Sequence, residues 1–206
     1  KYDEMATQTI EIPLIIDGKE IKTGDTGNCI MPHNHQHVLA TYHKAGETEV
    51  IQAIDVAMKS WKTWSTTTLE ERTKIFRKAA ELLQGPWRDT INAATMLNQS
   101  KNAFQAEVDA ACELIDFFNF NAQYAEEITA KQPLISPEGM HNHLEYRPLE
   151  GFVFAITPFN FTSIAGNLPS APVLMGNVAL WKPASSAVLP CYYIMKMLEE
   201  AGLPGG

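Results

Sequence analysis

The sequence predicts an α/β protein in which helices surround the beginning of a doubly wound, Rossmann-type sheet. Two short runs without a charged residue, 152–156 and 178–181, are typical of parallel strands that are covered on both faces. A helical pattern separates these runs and another follows the second, which gives the strand–helix–strand–helix order of a doubly wound sheet. Helical periodicity also dominates the part of the chain before these strands.

Length and composition describe a globular protein with enough apolar material for a core. The chain has 206 residues, of which 45% are apolar and 19% charged, so a disordered or fibrous chain is excluded. Acidic residues outnumber basic ones by 24 to 16, and the net charge of -8 repels phosphate backbones and anionic lipid surfaces. No apolar run approaches the roughly 20 residues of a membrane span. We therefore expect neither nucleic acid nor a membrane as a partner.

The first elements along the chain are predicted to be short strands. Residues 10–16 cross a turn into 19–22, which predicts an edge hairpin, and Pro13 keeps the first strand away from the centre of a sheet. A second pair of strands is predicted at 29–31 and 38–42.

The connection between the second pair of strands is rich in histidine. His33, His35 and His37 alternate, with His43 nearby, and on a strand this spacing would offer imidazoles on one face for a metal ion. The alternative is a polar turn. Because no cysteine or acidic ligand is close in sequence, we favour the turn and predict no metal site.

Four helices are predicted next. Thr67 and Glu70 form a capping-box pattern at the start of the second of them. The apolar periodicity and the stop signals predict helices at about 50–61, 67–85, 87–97 and 100–130.

The last of these helices, 100–130, carries an apolar stripe that includes Phe104 and Val108. Glu107 and Asp109 then lie on a face that is ordinarily solvated. Glu107 is also close enough to the stripe to point inward, and periodicity does not decide between the two orientations. The domain organisation is predicted as an amino-terminal layer at 1–130, a projecting segment at 131–149 with a strand at 142–147, and the start of the strand–helix unit at 150–206.

Two polar side chains follow the predicted parallel strands. In open α/β sheets ligands bind beyond the carboxyl ends of the strands, and Asn160 and Lys182 occupy those places. An amide can stabilise an oxygen that becomes negative, and a lysine can hold ribose hydroxyls or a phosphate. The alternatives are an Asn that shapes a loop and a solvated Lys at a strand end. A Gly-rich phosphate-binding loop is absent from the sequence.

The three cysteines give little sign of nucleophilic chemistry. Cys112 and Cys191 fall on or beside apolar helix faces and are predicted to be small core residues, and Cys29 lies beside a strand. An odd number of widely spaced cysteines favours a reducing compartment, which points to the cytoplasm.

Two stretches give the sequence a family resemblance. Ile156-Thr-Pro-Phe-Asn-Phe-Thr, followed after a helix by Gly176-Asn-Val-Ala-Leu-Trp-Lys-Pro-Ala, resembles the aldehyde dehydrogenase superfamily. Within it, the stretches from Gln105 to Ala122 and from Leu149 to Val153 resemble the 1-pyrroline-5-carboxylate dehydrogenases, which oxidise glutamate semialdehyde to glutamate in proline degradation. The resemblance implies an aldehyde-dehydrogenase-like fold and NAD as the cofactor.

The resemblance also implies roles for single residues. Asn160 would be the side-chain donor of the oxyanion hole, and Lys182 would hold the adenosine ribose of NAD. Ser185 stands where many relatives have Glu, so NADP is possible as well. Phe161 would flank the aldehyde substrate, and Glu107 would face the substrate tunnel. The turn that lines the cofactor would consist of Ile156, Thr157, Pro158 and Phe159.

The same resemblance places the nucleophilic Cys, the general-base Glu and the catalytic domain beyond this chain, so we expect an amino-terminal fragment that is inactive by itself. The segment 131–149 matches an oligomerisation hairpin, which implies a homo-oligomer in the full-length enzyme. The expected location is the cytoplasm, or the mitochondrial matrix in a eukaryote. Two alternatives stay open: a dehydrogenase for another aldehyde, and a noncatalytic assembly module.

Overall fold

A computed structural model describes residues 1–206. Its strands are β1 Ile10–Ile12, β2 Leu14–Ile16, β3 Lys19–Ile21, β4 Thr26–Met31, β5 Asn34–His43, β6 Phe152–Ile156 and β7 Val178–Lys182. Its helices are α1 Tyr2–Ala6, α2 Glu47–Trp64, α3 Leu69–Gln84, α4 Arg88–Gln99, α5 Ala103–Ala106, α6 Leu114–Ala130, α7 Thr162–Leu174 and α8 Val188–Glu200. A π-helical segment, Glu107–Glu113, joins α5 to α6. No helix combines the length and the apolar composition that crossing a membrane requires.

Strands β6 and β7 lie side by side and run parallel, with α7 as the connection between them. Residue Phe152 pairs with Val178 at one end of the pair and Ile156 with Lys182 at the other. This confirms the strand–helix–strand prediction, and it brings the carboxyl ends of both strands to one edge of the sheet.

The amino-terminal strands differ from the predicted single hairpin. Pro13 divides residues 10–16 into β1, which pairs in parallel with β5, and β2, which pairs antiparallel with β3. Proline has no N–H to donate to a ladder, so the chain changes partners at this residue. Strand β5 also pairs with β4, and the result is a three-stranded sheet in the order β1-β5-β4.

Helix α3 begins one residue later than the capping pattern predicted. Its first backbone groups are capped by Thr68 and Glu71: Glu71 N–H donates to Thr68 Oγ1 at 3.2 Å, and Thr68 N–H donates to Glu71 Oε2 at 3.1 Å. The sequence Thr67-Thr-Leu-Glu-Glu contains two overlapping capping boxes, and the structure uses the second.

The main core forms where α3, α6, α7 and α8 meet. Phe76 of α3 packs against Phe118 of α6 with ring centroids 5.8 Å apart, and Ile194 and Met197 of α8 are fully buried beside them. Burial of each such side chain stabilises the fold by about 1.5–3 kcal/mol. The helical layer is thereby fixed against α7, the helix that follows the loop after β6.

The helix predicted at 100–130 begins at Ala103 and runs without a break to Ala130, but its π-helical segment changes which residues face inward. Phe104, predicted on the apolar stripe, is 77% exposed, and Val108 is also exposed. Asp109, predicted on a solvated face, is buried. A π turn holds more residues than an α turn, so the face that packs on the core shifts at Glu107–Glu113.

The segment 131–149 contains no strand, so the strand predicted at 142–147 is wrong. Most of the segment is exposed, and hydrogen bonds that involve side chains, rather than a strand ladder, connect its two ends. Gln132 donates to the Leu144 carbonyl at 3.2 Å and accepts from the Leu144 N–H at 2.9 Å. Because no second backbone segment pairs with residues 142–147, they form no strand ladder.

Candidate functional site

The candidate site lies at the edge of the sheet where β6 and β7 end. Beyond the last strand pair, Thr157 N–H donates to the Lys182 carbonyl at 3.2 Å. The Thr157 hydroxyl is buried and accepts from the Trp181 indole N–H at 3.0 Å. These two contacts fix the start of the loop 157–161 to the end of β7. The predicted cofactor-lining turn is therefore joined directly to the strand that carries Lys182.

Asn160 lies in this loop and is exposed. Its backbone carbonyl accepts a hydrogen bond from Lys101, whereas its side-chain amide makes no hydrogen bond to the rest of the chain. An amide has two N–H donors, and here both are free for a ligand. The pairing of β6 with β7 thus brings the loop that carries Asn160 and the strand end that carries Lys182 to one edge of the sheet.

Lys182 is exposed and has no carboxylate partner. Its Nζ donates to the Pro183 carbonyl at 3.0 Å, and this is its sole side-chain hydrogen bond. Ser185, a few residues on, is exposed as well. Apolar side chains border the same edge, because Ile156 is 60% exposed and Phe159 is similarly exposed. An unpaired ammonium beside exposed apolar surface fits the sugar and ring of a nucleotide.

Phe161 and Pro158 complete the predicted loop. Phe161 is partly exposed, and Lys101 Nζ lies 4.7 Å from the centre of its ring, a cation–π distance. Pro158 is half-buried. Both predicted residues lie in the loop with Asn160, and Lys101, which the sequence did not indicate, reaches the loop from the turn between α4 and α5.

Glu107 is occupied by partners within the chain. Arg88 contacts both of its carboxylate oxygens, and Asn92 Nδ2 donates to Oε2 at 2.7 Å. The hydrogen-bonded Arg88 guanidinium lowers the pKa of the Glu107 carboxyl below its ordinary value. The Glu107 side chain is thus half-buried in an ion pair with Arg88, which lies between the inward and outward orientations that the sequence left open. The role of Glu107 in facing a substrate tunnel remains a prediction.

Cys112 is not the core residue that the sequence predicted. It is exposed, and its Sγ lies 3.7 Å from Arg88 Nη2 and 3.8 Å from Glu107 Oε1. The shift of the buried face in the π-helical segment explains the error. Cys29 and Cys191 are buried, and burial raises the pKa of both thiols, that of Cys29 to about 11.

The turn predicted for the histidine-rich stretch is only partly right, because His33 lies in the turn but His35 and His37 lie in strand β5. His43 is buried, its Nδ1 accepts from the Thr23 N–H at 3.1 Å, and its Nε2 lies 2.8 Å from Glu11 Oε1. His33 Nδ1 lies 2.7 Å from the Ser100 hydroxyl. No group of three or more His, Cys, Asp or Glu side chains has an arrangement that could hold a metal ion.

Two residues that the sequence analysis did not assign to the site, one buried and one largely buried, support the loop. Asp109 of the π-helical segment accepts hydrogen bonds from the first backbone N–H groups of α7, and Lys101 pairs with Asp109 at 2.6 Å. Both lie about 50 to 60 residues from Asn160 in sequence, so no local motif joins them to it. The sequence offered no signal for either role, because helical periodicity assigned Asp109 to the solvated face and Lys101 lies in a turn.

Comparison with known proteins identifies the family. Residues 20–206 match the family model described as the aldehyde dehydrogenase family, and the chain belongs to that family.

Particular members of the family are similar over the whole chain. A probable delta-1-pyrroline-5-carboxylate dehydrogenase of Schizosaccharomyces pombe is 50% identical over 206 residues, which are 100% of this chain and 38% of that protein. A mitochondrial delta-1-pyrroline-5-carboxylate dehydrogenase of Dictyostelium discoideum is 50% identical over 198 residues, 96% of this chain and 36% of that protein. The chain thus spans less than two-fifths of the curated relatives that it matches, and its match to them confirms the predicted resemblance.

A solved structure gives the same result for the fold. The delta-pyrroline-5-carboxylate dehydrogenase of Mycobacterium tuberculosis, bound with NAD, superposes with a TM-score of 0.96 at 47% identity, over 99% of this chain and 38% of that one. The predicted aldehyde-dehydrogenase-like α/β fold is therefore confirmed.

Proposed function

We propose that this chain supplies the amino-terminal, cofactor-binding side of an NAD-dependent 1-pyrroline-5-carboxylate dehydrogenase, which oxidises glutamate semialdehyde to glutamate. The observation that carries the proposal is the free side-chain amide of Asn160 at the sheet edge where Lys182 also ends. Relatives about 50% identical over nearly the whole chain bear that enzyme's name, and a solved relative binds NAD.

The chemistry expected of Asn160 is electrostatic. In aldehyde dehydrogenases a cysteine thiolate adds to the aldehyde carbon, and the carbonyl oxygen then gains negative charge. One N–H group of the Asn160 amide would donate to that oxygen, and one such donor is worth about 3 kcal/mol in the transition state. Because the amide is not hydrogen-bonded to protein, no internal bond has to break for it to serve this role.

Lys182 and its neighbours fit the cofactor. The exposed ammonium of Lys182 lacks a carboxylate partner and would donate to the adenosine ribose hydroxyls. Ile156 and Phe159 offer apolar surface beside it, with Thr157 and Pro158 between them in sequence. NAD, when bound, supplies the hydride acceptor. The hydroxyl of Ser185 does not repel a 2′-phosphate as a carboxylate would, so steady-state kinetics should be measured with both NAD and NADP.

The cysteines of this chain do not match the nucleophile that the reaction needs. Cys29 and Cys191 are buried with raised pKa values, and Cys112 contacts Arg88 and Glu107 rather than the loop. We therefore assign the nucleophilic Cys and the general-base Glu to a further part of the enzyme, and we expect residues 1–206 alone to be inactive. A cytoplasmic or, in a eukaryote, mitochondrial-matrix homo-oligomer, assembled partly through 131–149, is part of the same proposal.

The test is Asn160→Ala in the full-length protein that contains this sequence. We expect kcat for glutamate semialdehyde to fall by about 100- to 1,000-fold, with NAD affinity nearly unchanged. Asn119→Ala is the matched control, because Asn119 is exposed on α6 without a side-chain hydrogen bond. Equal losses in turnover and cofactor affinity would show that Asn160 is structural, and a panel of other aldehydes would expose a different substrate preference.

A further inference from the structure

A buried ion pair lies directly beneath the loop that carries Asn160. Lys101 Nζ donates to Asp109 Oδ2 at 2.6 Å and to the Asn160 carbonyl at 2.5 Å, and it lies over the Phe161 ring. The side chain of Lys101 is 16% exposed and that of Asp109 is 6% exposed. A pair this sheltered is screened far less than a surface salt bridge, and its geometry is determined by the hydrogen bonds around it.

Asp109 caps the amino-terminal end of α7, because the residue at the N-cap position has no side chain that can do so. Phe161 occupies the N-cap position and has no side-chain acceptor. Asp109 Oδ2 accepts the Thr162 N–H and Oδ1 accepts the Ser163 N–H, both at 3.0 Å, and Oδ1 also accepts the Ser163 hydroxyl at 2.7 Å. An anion at this end is also favoured by the helix dipole. The backbone immediately after Asn160 is therefore held by one carboxylate.

The pair fixes the backbone at Asn160 and just after it, and leaves the Asn160 amide free. Lys101 binds the Asn160 carbonyl, and Asp109 binds the next two N–H groups after Phe161. Stabilisation of an oxyanion requires a donor that is already in place and has no other hydrogen bond. A fixed backbone matters because a displacement of the donor by about 1 Å can lower the rate about 100-fold.

We propose that Lys101 and Asp109 are positioning residues, which set the backbone of residues 160–163 and thereby aim the Asn160 amide. This inference rests on the proposed role of Asn160 as an oxyanion donor. Neither residue contacts substrate or cofactor in this assignment. Each acts only through the loop, and removing either one should have no effect on turnover once the Asn160 amide is gone.

The test is a double-mutant cycle in the full-length protein, with Lys101→Met, Asn160→Ala and the combination of the two. We expect Lys101→Met to lower kcat by about tenfold to 100-fold while the KM for NAD changes less than about twofold. In the Asn160→Ala background, Lys101→Met should change kcat by less than about twofold, because the two residues act through one group. Lys59→Met is the matched control, since Lys59 is exposed on α2 and pairs with no carboxylate.

The outcomes separate the two proposals. If Asn160→Ala leaves kcat unchanged, the proposed function of Asn160 fails. If Asn160→Ala lowers kcat but Lys101→Met does not, or if their losses multiply, the positioning role is overturned and that of Asn160 stands. Should Lys101→Met not accumulate as folded protein, Lys101→Gln takes its place in the same cycle. Its shorter, neutral side chain removes the ammonium from the Asn160 carbonyl while leaving a polar group near Asp109, so the same expectations apply.

Discussion

Gly176, at the turn from α7 into β7, offers a quantitative test of the structure. Its φ is +89°, a conformation that glycine adopts easily and other residues rarely do. A Cβ at this position would lie 2.7 Å from Pro148 Cγ and 3.2 Å from Arg72 Nη1. Arg72 cannot move away freely, because its Nε donates to the Leu174 carbonyl at 2.8 Å and its Nη1 to that of Thr67.

The cost of Gly176→Ala follows from these contacts. The left-handed conformation costs a non-glycine residue about 1–2 kcal/mol. Moving Pro148 away from the new methyl group would strain the adjacent hydrogen bond from the Leu149 N–H to Asn177 Oδ1, now 2.8 Å, whose loss costs about 1 kcal/mol. The free energy of unfolding should therefore fall by about 2–3 kcal/mol, which for a chain of this size lowers Tm by about 4–12 °C.

Gly24→Ala separates the backbone cost from the collision. Gly24 also has a positive φ, +84°, but a Cβ there would meet no atom within 4 Å. Urea unfolding, followed by circular dichroism, should show a loss of about 1–2 kcal/mol for this variant. Equal losses for the two variants would mean that Gly176 is not pressed against Pro148 and Arg72, and the described path of the chain into β7 would be wrong.

Two further predictions concern cysteine reactivity and pH. At pH 8 a thiol with the raised pKa of about 11 given for Cys29 is ionised in about one molecule in a thousand, and Cys191 is also buried with a raised pKa. Brief iodoacetamide treatment and peptide mapping should therefore find the label on exposed Cys112, and faster labelling of a buried thiol would contradict the fold. Glu107 has its pKa lowered in the folded protein by Arg88, so the pair stabilises the fold above the ordinary glutamate pKa of about 4.3 and loses that contribution as pH falls through the lowered value. Arg88→Gln should raise the Glu107 pKa in a carboxyl NMR titration, and an unchanged titration would show that the ion pair does not form in solution.

The parts of the fold that the sequence predicted are those governed by local patterns. Apolar runs without charge identified β6 and β7, and the rule for strand ends then brought Asn160 and Lys182 to one edge. The errors arise where one local sequence pattern is compatible with two different structures. Pro13 was interpreted as a mark of an edge strand, but it also permits the chain to change sheets, and only the presence of β5 beside β1 decides between these outcomes.

The residues that hold the Asn160 loop in place show why the site could be predicted only in part from the sequence. A 3.6-residue period assigns Asp109 to the same wet face as neighbouring acidic residues, and nothing in the composition of Glu107–Glu113 announces a π turn. What stabilises that turn is tertiary: it brings the Asp109 carboxylate onto the free N–H groups of α7 and beside the Lys101 ammonium, which would otherwise be buried without an anion. The candidate ligand-binding groups of this chain stand at strand ends, where a sequence rule can find them, whereas the groups that hold their loop in place are selected by packing and can come from any element that reaches it.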